Sequence, residues 1–124
     1  MNIQLDTPSS QQYFRHYEPG LISTNHGKHQ TSIIVAPDRI ITPNWAPQSF
    51  QELTIESFDE ILELDIEVVL FGTGEKQHIP NNKIFKAFFQ KGKSLDFMSS
   101  HAACRTFNIL ADEGRAVVSA ILVK

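Results

Sequence analysis

The stretch Ile66–Gly72, IEVVLFG, decides how the chain is to be read. Apart from Glu67 and the closing glycine it is wholly apolar, with none of the alternation expected of a strand that has one wet face. Such a strand is covered on both sides, the usual state of parallel strands in α/β proteins. The residues downstream agree. Residues 81–92, NNKIFKAFFQKG, predict a helix, with asparagine at its start, Ile84, Phe85, Phe88 and Phe89 at helical spacing, and Gly92 at its end. Residues 93–98, KSLDFM, read as a short strand. Ser99 or Ser100 then caps a helix over residues 101–113, HAACRTFNILADE, which stops at Gly114. Residues 115–123, RAVVSAILV, form a second strand of the buried kind. Strand, helix, strand, helix, strand at this spacing predicts an α/β fold with at least partly parallel pairing. The strands near 67–71 and 116–122 are expected side by side in mid-sheet. The second helix should cover them with Ala102, Thr106, Ile109 and Leu110.

Upstream the pattern changes to hairpins. LISTN (21–25) and HQTSIIVA (29–36) flank a glycine turn at His26–Lys28. Pro37-Asp38 turns the chain into RIITP (39–43). The segment 44–53 reads as a connection, with Trp45 packing it onto the core. In residues 54–64, TIESFDEILEL, Phe58, Ile61 and Leu62 recur at helical spacing, with Ser57 as N-cap and Glu60 closing a capping box. Antiparallel hairpins beside parallel units make the sheet mixed.

Length and composition bound the rest. A chain of 124 residues, 41% hydrophobic and 20% charged, is long enough to bury its own core, so one domain is expected over residues 13–124. Residues 1–12 are polar and expected to be loosely held. The net charge of −3 argues against a nucleic-acid-binding protein, which normally shows a basic face. A single cysteine permits no internal disulfide and suits a reducing compartment. No apolar run is long enough to span a bilayer, and the N-terminal residues lack the basic start and apolar core of a signal peptide. A cytoplasmic protein without a transmembrane segment is expected.

Two places could carry chemistry. Gly72, Thr73 and Gly74 follow the buried strand, where α/β sheets open their ligand crevices, and glycines let backbone amides approach an anion. The alternative is a turn that needs glycine torsions, since GTG matches neither the dinucleotide fingerprint nor the P-loop. Met98, Ser99, Ser100 and Arg105 would line the other side of that crevice. Arg105 can brace the turn or hold an anion, or it can be a solvated arginine. Cys104 sits early in its helix beside Arg105 and one turn from His101, as an activated thiolate would, but it also lies on the flank of an apolar arc, as a buried structural cysteine does. The structural reading is the stronger. His26 and His29 have no third ligand nearby in sequence, so no metal is expected. No catalytic set and no cofactor fingerprint is present. Lys83, Lys86, Lys91 and Lys93 read as a solvated face.

VVLFGTGEKQHIP (68–80), FMSSHAACRTFNILADEGRAVVSAIL (97–122) and HYEPGLISTNHGKHQTSIIVAPDRIITPNW (16–45) together resemble one family. It is the small domain shared by NADH dehydrogenase (complex I) assembly factor three and many bacterial and archaeal proteins of undefined activity. The resemblance covers residues 13–123. It implies a three-layer single domain with a mixed central sheet, helices packed on it and an added N-terminal β-hairpin. It implies no catalytic residue. The mitochondrial members assist early assembly of complex I with a partner assembly factor, close to the inner membrane. Their motif usually carries aspartate at Ser99 and tyrosine at Phe107, so this chain lacks a carboxylate that could pair with Arg105 and a hydroxyl that could serve a site. The function implied is a non-enzymatic binding or assembly module with a protein partner, through which it could associate peripherally with a membrane. The alternative is a small-molecule or anion-binding protein, or an enzyme of undefined reaction, with its crevice between the GTG turn and the start of the Ser100 helix.

Overall fold

The computed structural model describes residues 11–124. The chain runs through β1 (Phe14–Glu18), β2 (Leu21–Thr24), β3 (Gly27–His29), β4 (Ser32–Ala36), β5 (Arg39–Trp45), two 3-10 turns (Phe50–Glu52 and Ile55–Phe58), α1 (Asp59–Leu62), β6 (Val68–Gly72), α2 (Asn82–Gln90), β7 (Ser94–Met98), α3 (Ser100–Asp112) and β8 (Val117–Ile121). The central sheet has the order β5-β4-β8-β6-β7, and a smaller sheet has the order β1-β2-β3. β6 runs parallel to β7 and β8, whereas β4 is antiparallel to β5 and β8, so the sheet is mixed. β6 and β8 are interior neighbours, as their two-faced apolarity requires.

Alternation along these strands builds the layers. Ile33, Val35, Leu70, Val117 and Ile121 point to one face, where Ala103, Cys104 and Phe107 of α3 and Phe14, Tyr17 and Ile22 of the small sheet meet them. Ile34, Val69, Phe71, Val118 and Ala120 point to the other, against Trp45, Phe58, Ile61, Ile84 and Phe88. The result is the three-layer α/β arrangement with an added N-terminal antiparallel sheet.

Ser119 is the exception within this packing. It is fully buried at the centre of β8, and its hydroxyl has no hydrogen-bond partner among the described residues. An orphaned buried hydroxyl costs about 1–3 kcal/mol. Ser119→Ala is therefore expected to stabilise the fold by about 1 kcal/mol, read as a higher urea midpoint at unchanged slope. A lower midpoint would show that the hydroxyl has a partner.

Several expectations are corrected. The N-terminal hairpin is present as β2 and β3, and β1 extends it to a three-stranded meander. The stretch 29–36 is not one strand: β3 ends at His29, and β4 begins at Ser32 in the other sheet. Ser57 is not an N-cap. Thr54 caps the 3-10 turn and Ser57 returns the bond to the Thr54 amide at 3.0 Å, so the capping box lies three residues earlier. Lys93 is no solvated lysine, since its ammonium donates to the Leu64 and Ile66 carbonyls. Of the N-terminal segment expected to be loose, residues 1–10 lie outside the described residues. Gln12 is buried and its amide donates to the Pro37 carbonyl, while the Gln11 carbonyl accepts from Asn25.

The buried face of α3 is also rotated from the one expected. It consists of Ser100, Ala103, Cys104, Phe107 and Ala111, whereas Ile109 is 59% exposed. The cause is β1, which packs along the flank of the helix. Asn108 binds both backbone groups of Phe14, accepting from its N–H at 2.8 Å and donating to its carbonyl at 2.8 Å. The Phe107 and Phe14 rings meet edge to face at 5.3 Å.

Candidate functional site

Three chain segments converge at the carboxyl ends of β6, β7 and β8. Gly72 stands in register with Met98 on one side and Ile121 on the other. Thr73, fully buried, continues the ladder by donating from its amide to the Met98 carbonyl at 2.8 Å. Its hydroxyl shapes the following turn, donating to the Lys76 carbonyl at 2.7 Å and accepting from the His78 amide at 3.0 Å.

Ser100 locks this turn to α3. Its hydroxyl accepts from the Gly74 amide at 2.9 Å and donates to the Leu122 carbonyl at 2.7 Å. Its own amide donates to the Gly74 carbonyl at 2.8 Å. The residue is fully buried, so these bonds form away from water. Both glycines are explained by this closeness. A Cβ on Gly72 would lie 2.9 Å from the Ser100 Cα, and one on Gly74, whose φ is +109°, would run into the Lys124 carbonyl. Ser99 caps the helix by accepting from the Ala102 amide at 3.2 Å. The amides of Thr73, Gly74, Ser100 and Ala102 are thus all committed inside the protein.

The structure therefore brings Gly72, Thr73, Gly74, Met98, Ser99 and Ser100 together as a packed junction of glycine, hydroxyl and backbone. It sets Arg105 apart from them. Arg105 is exposed on α3 and lines, with His101, Cys104 and Arg15, a cavity of about 50 Å³ along the seam with β1. Among the described residues no hydrogen bond or ion pair reaches its guanidinium. Turn bracing, one role considered for Arg105, is performed by Ser100.

Two side chains under the junction are held neutral. Tyr17 donates its hydroxyl to the Val123 carbonyl at 3.1 Å, and burial pushes its pKa up to about 12. Cys104 is 5% exposed, and burial likewise pushes its thiol to about 12. Desolvation outweighs the helix end and the neighbouring Arg105, so the thiol stays protonated and unreactive at neutral pH. A bulky thiol reagent should label the folded protein slowly and the unfolded protein fast. Rapid labelling of the folded state with a midpoint below about 8.5, the value of a free cysteine, would contradict this. Tyr17 and Asn108 were not legible as partners of this region, because the strand that brings in β1 carries only two buried side chains.

Elsewhere, Trp45 closes β5 instead of standing in the connection expected over 44–53, and it anchors the segment that follows, donating from Nε1 to the Ser57 carbonyl at 2.9 Å and meeting the Phe58 ring at 5.6 Å. Among the described residues, histidine, cysteine and carboxylate side chains form no group of three that could hold a metal ion.

A family model described as a protein of unknown function (DUF498/DUF598) matches residues 14–122. The chain belongs to this family. One relative is the "13 kDa major membrane protein" of Francisella tularensis subsp. holarctica (strain LVS), 31% identical over 98% of this chain and 99% of that protein. Another is NADH dehydrogenase (ubiquinone) 1 alpha subcomplex assembly factor 3 of Rattus norvegicus, 36% identical over 63% of this chain. The match spans 43% of the length of that assembly factor. A crystal structure of a Bordetella parapertussis protein shares the fold with a TM-score of 0.83 at 29% identity, over 94% of this chain and 100% of that one. The proteins this chain resembles thus include some named as assembly factors and some named as membrane proteins. Among the described residues, no helix is long and apolar enough to cross a membrane.

Proposed function

We propose that this chain is a non-catalytic protein-binding module that assists assembly of a respiratory membrane complex. The observation that carries the reading is where apolar and polar groups end up. The place where a ligand crevice would open is filled by Ser100 and its hydrogen bonds, while Phe89 and Ile79 remain 82% and 75% exposed. The apolar groups available for recognition thus lie on the surface, Phe89 among them, where another protein can cover them. The assembly-factor relatives supply the class of partner, a protein of a respiratory complex under construction. The working place is then the cytoplasmic side of the membrane, with attachment through the partner rather than through a spanning helix. The test is to remove the gene and resolve the membrane respiratory complexes on native gels. Loss of the mature complex, with subassemblies that disappear when the wild-type chain is restored, is expected. Normal amounts of every complex would overturn the assembly role.

A second reading rests on a separate feature. A cavity of about 390 Å³ lies at the opposite end of the strands, with Ile41, Leu64, Ile66 and Val118 on its walls and Arg39 at its edge. Arg39 is paired with Asp38 at 3.2 Å and Asp65 also lines the cavity, so its size and apolar walls suit a small, largely apolar molecule rather than an anion, which would place ligand binding away from the GTG turn.

A further inference from the structure

The central sheet ends in β5 on one side and β7 on the other, and the two edges are built differently. β5 is blunted. Its pairing with β4 is interrupted twice, and it contains Pro43. Irregular register and proline are standard defences against strand addition. β7 has neither. Ser94 to Met98 pair with Val68 to Gly72 residue for residue. Lysine, another common guard, is diverted, since Lys93 bonds to the Leu64 and Ile66 carbonyls.

The outward hydrogen-bonding groups of β7 can be named. The Ser94 amide donates to the Glu67 carbonyl at 2.7 Å, and the Met98 carbonyl accepts from Thr73 at 2.8 Å. In a parallel ladder the peptide groups alternate sides, so Ser94, Asp96 and Met98 turn theirs toward β6. The N–H and C=O of Leu95 and Phe97 therefore face outward. Among the described residues nothing bonds to them.

An apolar flank accompanies this edge. Leu95 and Phe97 are half-buried on the α2 side, and Phe97 meets Phe85 edge to face at 5.7 Å. α2 returns antiparallel into β7, so Phe89, one turn beyond Phe85, stands toward the Leu95 end with 82% of its surface in water. On the opposite face the edge presents exposed Asp96.

We propose that β7 is a docking edge for an extended segment of a partner protein, which joins the central sheet and carries a basic residue between two apolar ones. The apolar residues would pair with Leu95 and Phe97 and extend over Phe89, and the basic one would stand beside Asp96. Cross-strand pairs of opposite charge favour such a register. A second copy of this chain fits less well. The antiparallel register that uses both outward residues sets Leu95 against Phe97 and Asp96 against its own copy, a like-charge contact between chains that each carry a net charge of −3. The proposal rests on the protein-binding reading and locates its surface.

The test is selection of displayed peptides on the full chain, followed by amide hydrogen exchange with the best selected peptide. Peptides alternating apolar and basic residues are expected, slowing exchange at Leu95 and Phe97 at least about tenfold and leaving β5 unchanged. Phe89→Glu, which alters an exposed side chain, should weaken binding about tenfold, and Asp96→Lys should shift selection toward acidic peptides. Protection elsewhere, peptides without alternation, no selected binder, or self-association that protects Leu95 and Phe97 would each overturn the edge proposal. A natural partner that binds while those two amides exchange freely would overturn it too, yet leave the protein-binding reading standing. A chain that takes no protein partner in its cells would instead remove that reading.

Discussion

Ser100→Ala is expected to lower stability by about 2–6 kcal/mol, because it strands two buried backbone groups at once, each costing about 1–3 kcal/mol. The Gly74 amide loses its acceptor and the Leu122 carbonyl loses its donor, in a place without access to water. Arg105→Ala is the control. That exposed side chain makes no hydrogen bond or ion pair among the described residues, so the change should stay within about 0.5 kcal/mol. Urea unfolding of the two variants reads the difference directly. If Ser100→Ala were as mild as Arg105→Ala, water would have to reach the junction, and an open crevice there would return as the better description.

The second large effect is expected at Phe71. Its ring is fully buried in mid-sheet and meets Phe58 at 5.2 Å and Trp45 at 6.1 Å, both edge to face. Phe71→Ala should cost about 3–5 kcal/mol through the cavity left behind. Domains hold only about 5–15 kcal/mol in total, so little margin would remain. Trp45 is the chain's single tryptophan, and it loses a wall of its site. Its emission should shift to longer wavelength and its near-ultraviolet dichroism should weaken before global unfolding. Unchanged tryptophan signals with full stability would mean that the end of β5 and the segment after it are not anchored through this cluster.

The α/β character was legible because β6 and β8 are apolar on both faces, which few structures other than an interior strand accommodate. The neighbourhood of Gly72, Gly74 and Ser100 was legible too, since strand ends and helix starts of an α/β unit gather at one edge of the sheet. What filled that neighbourhood was not. Nothing local distinguishes a serine hydroxyl that caps two backbone groups from one that faces a ligand. β1 was hidden by its own irregularity: a register shift between Phe14 and His16 puts its buried side chains, Phe14 and Tyr17, three apart instead of two or four. The buried face of α3 departs from its helical wheel for a related reason. A helical wheel assumes one neighbour, whereas α3 has two, the central sheet and β1, and the second recruits polar Asn108 while leaving Ile109 in water.

The most direct test is native mass spectrometry of the chain captured gently from the cells it comes from. The 14.0 kDa chain is expected in complex with another polypeptide, with binding weakened when Phe89 is replaced by glutamate. Recovery of the chain alone, or carrying only a small molecule, would contradict a protein-binding role.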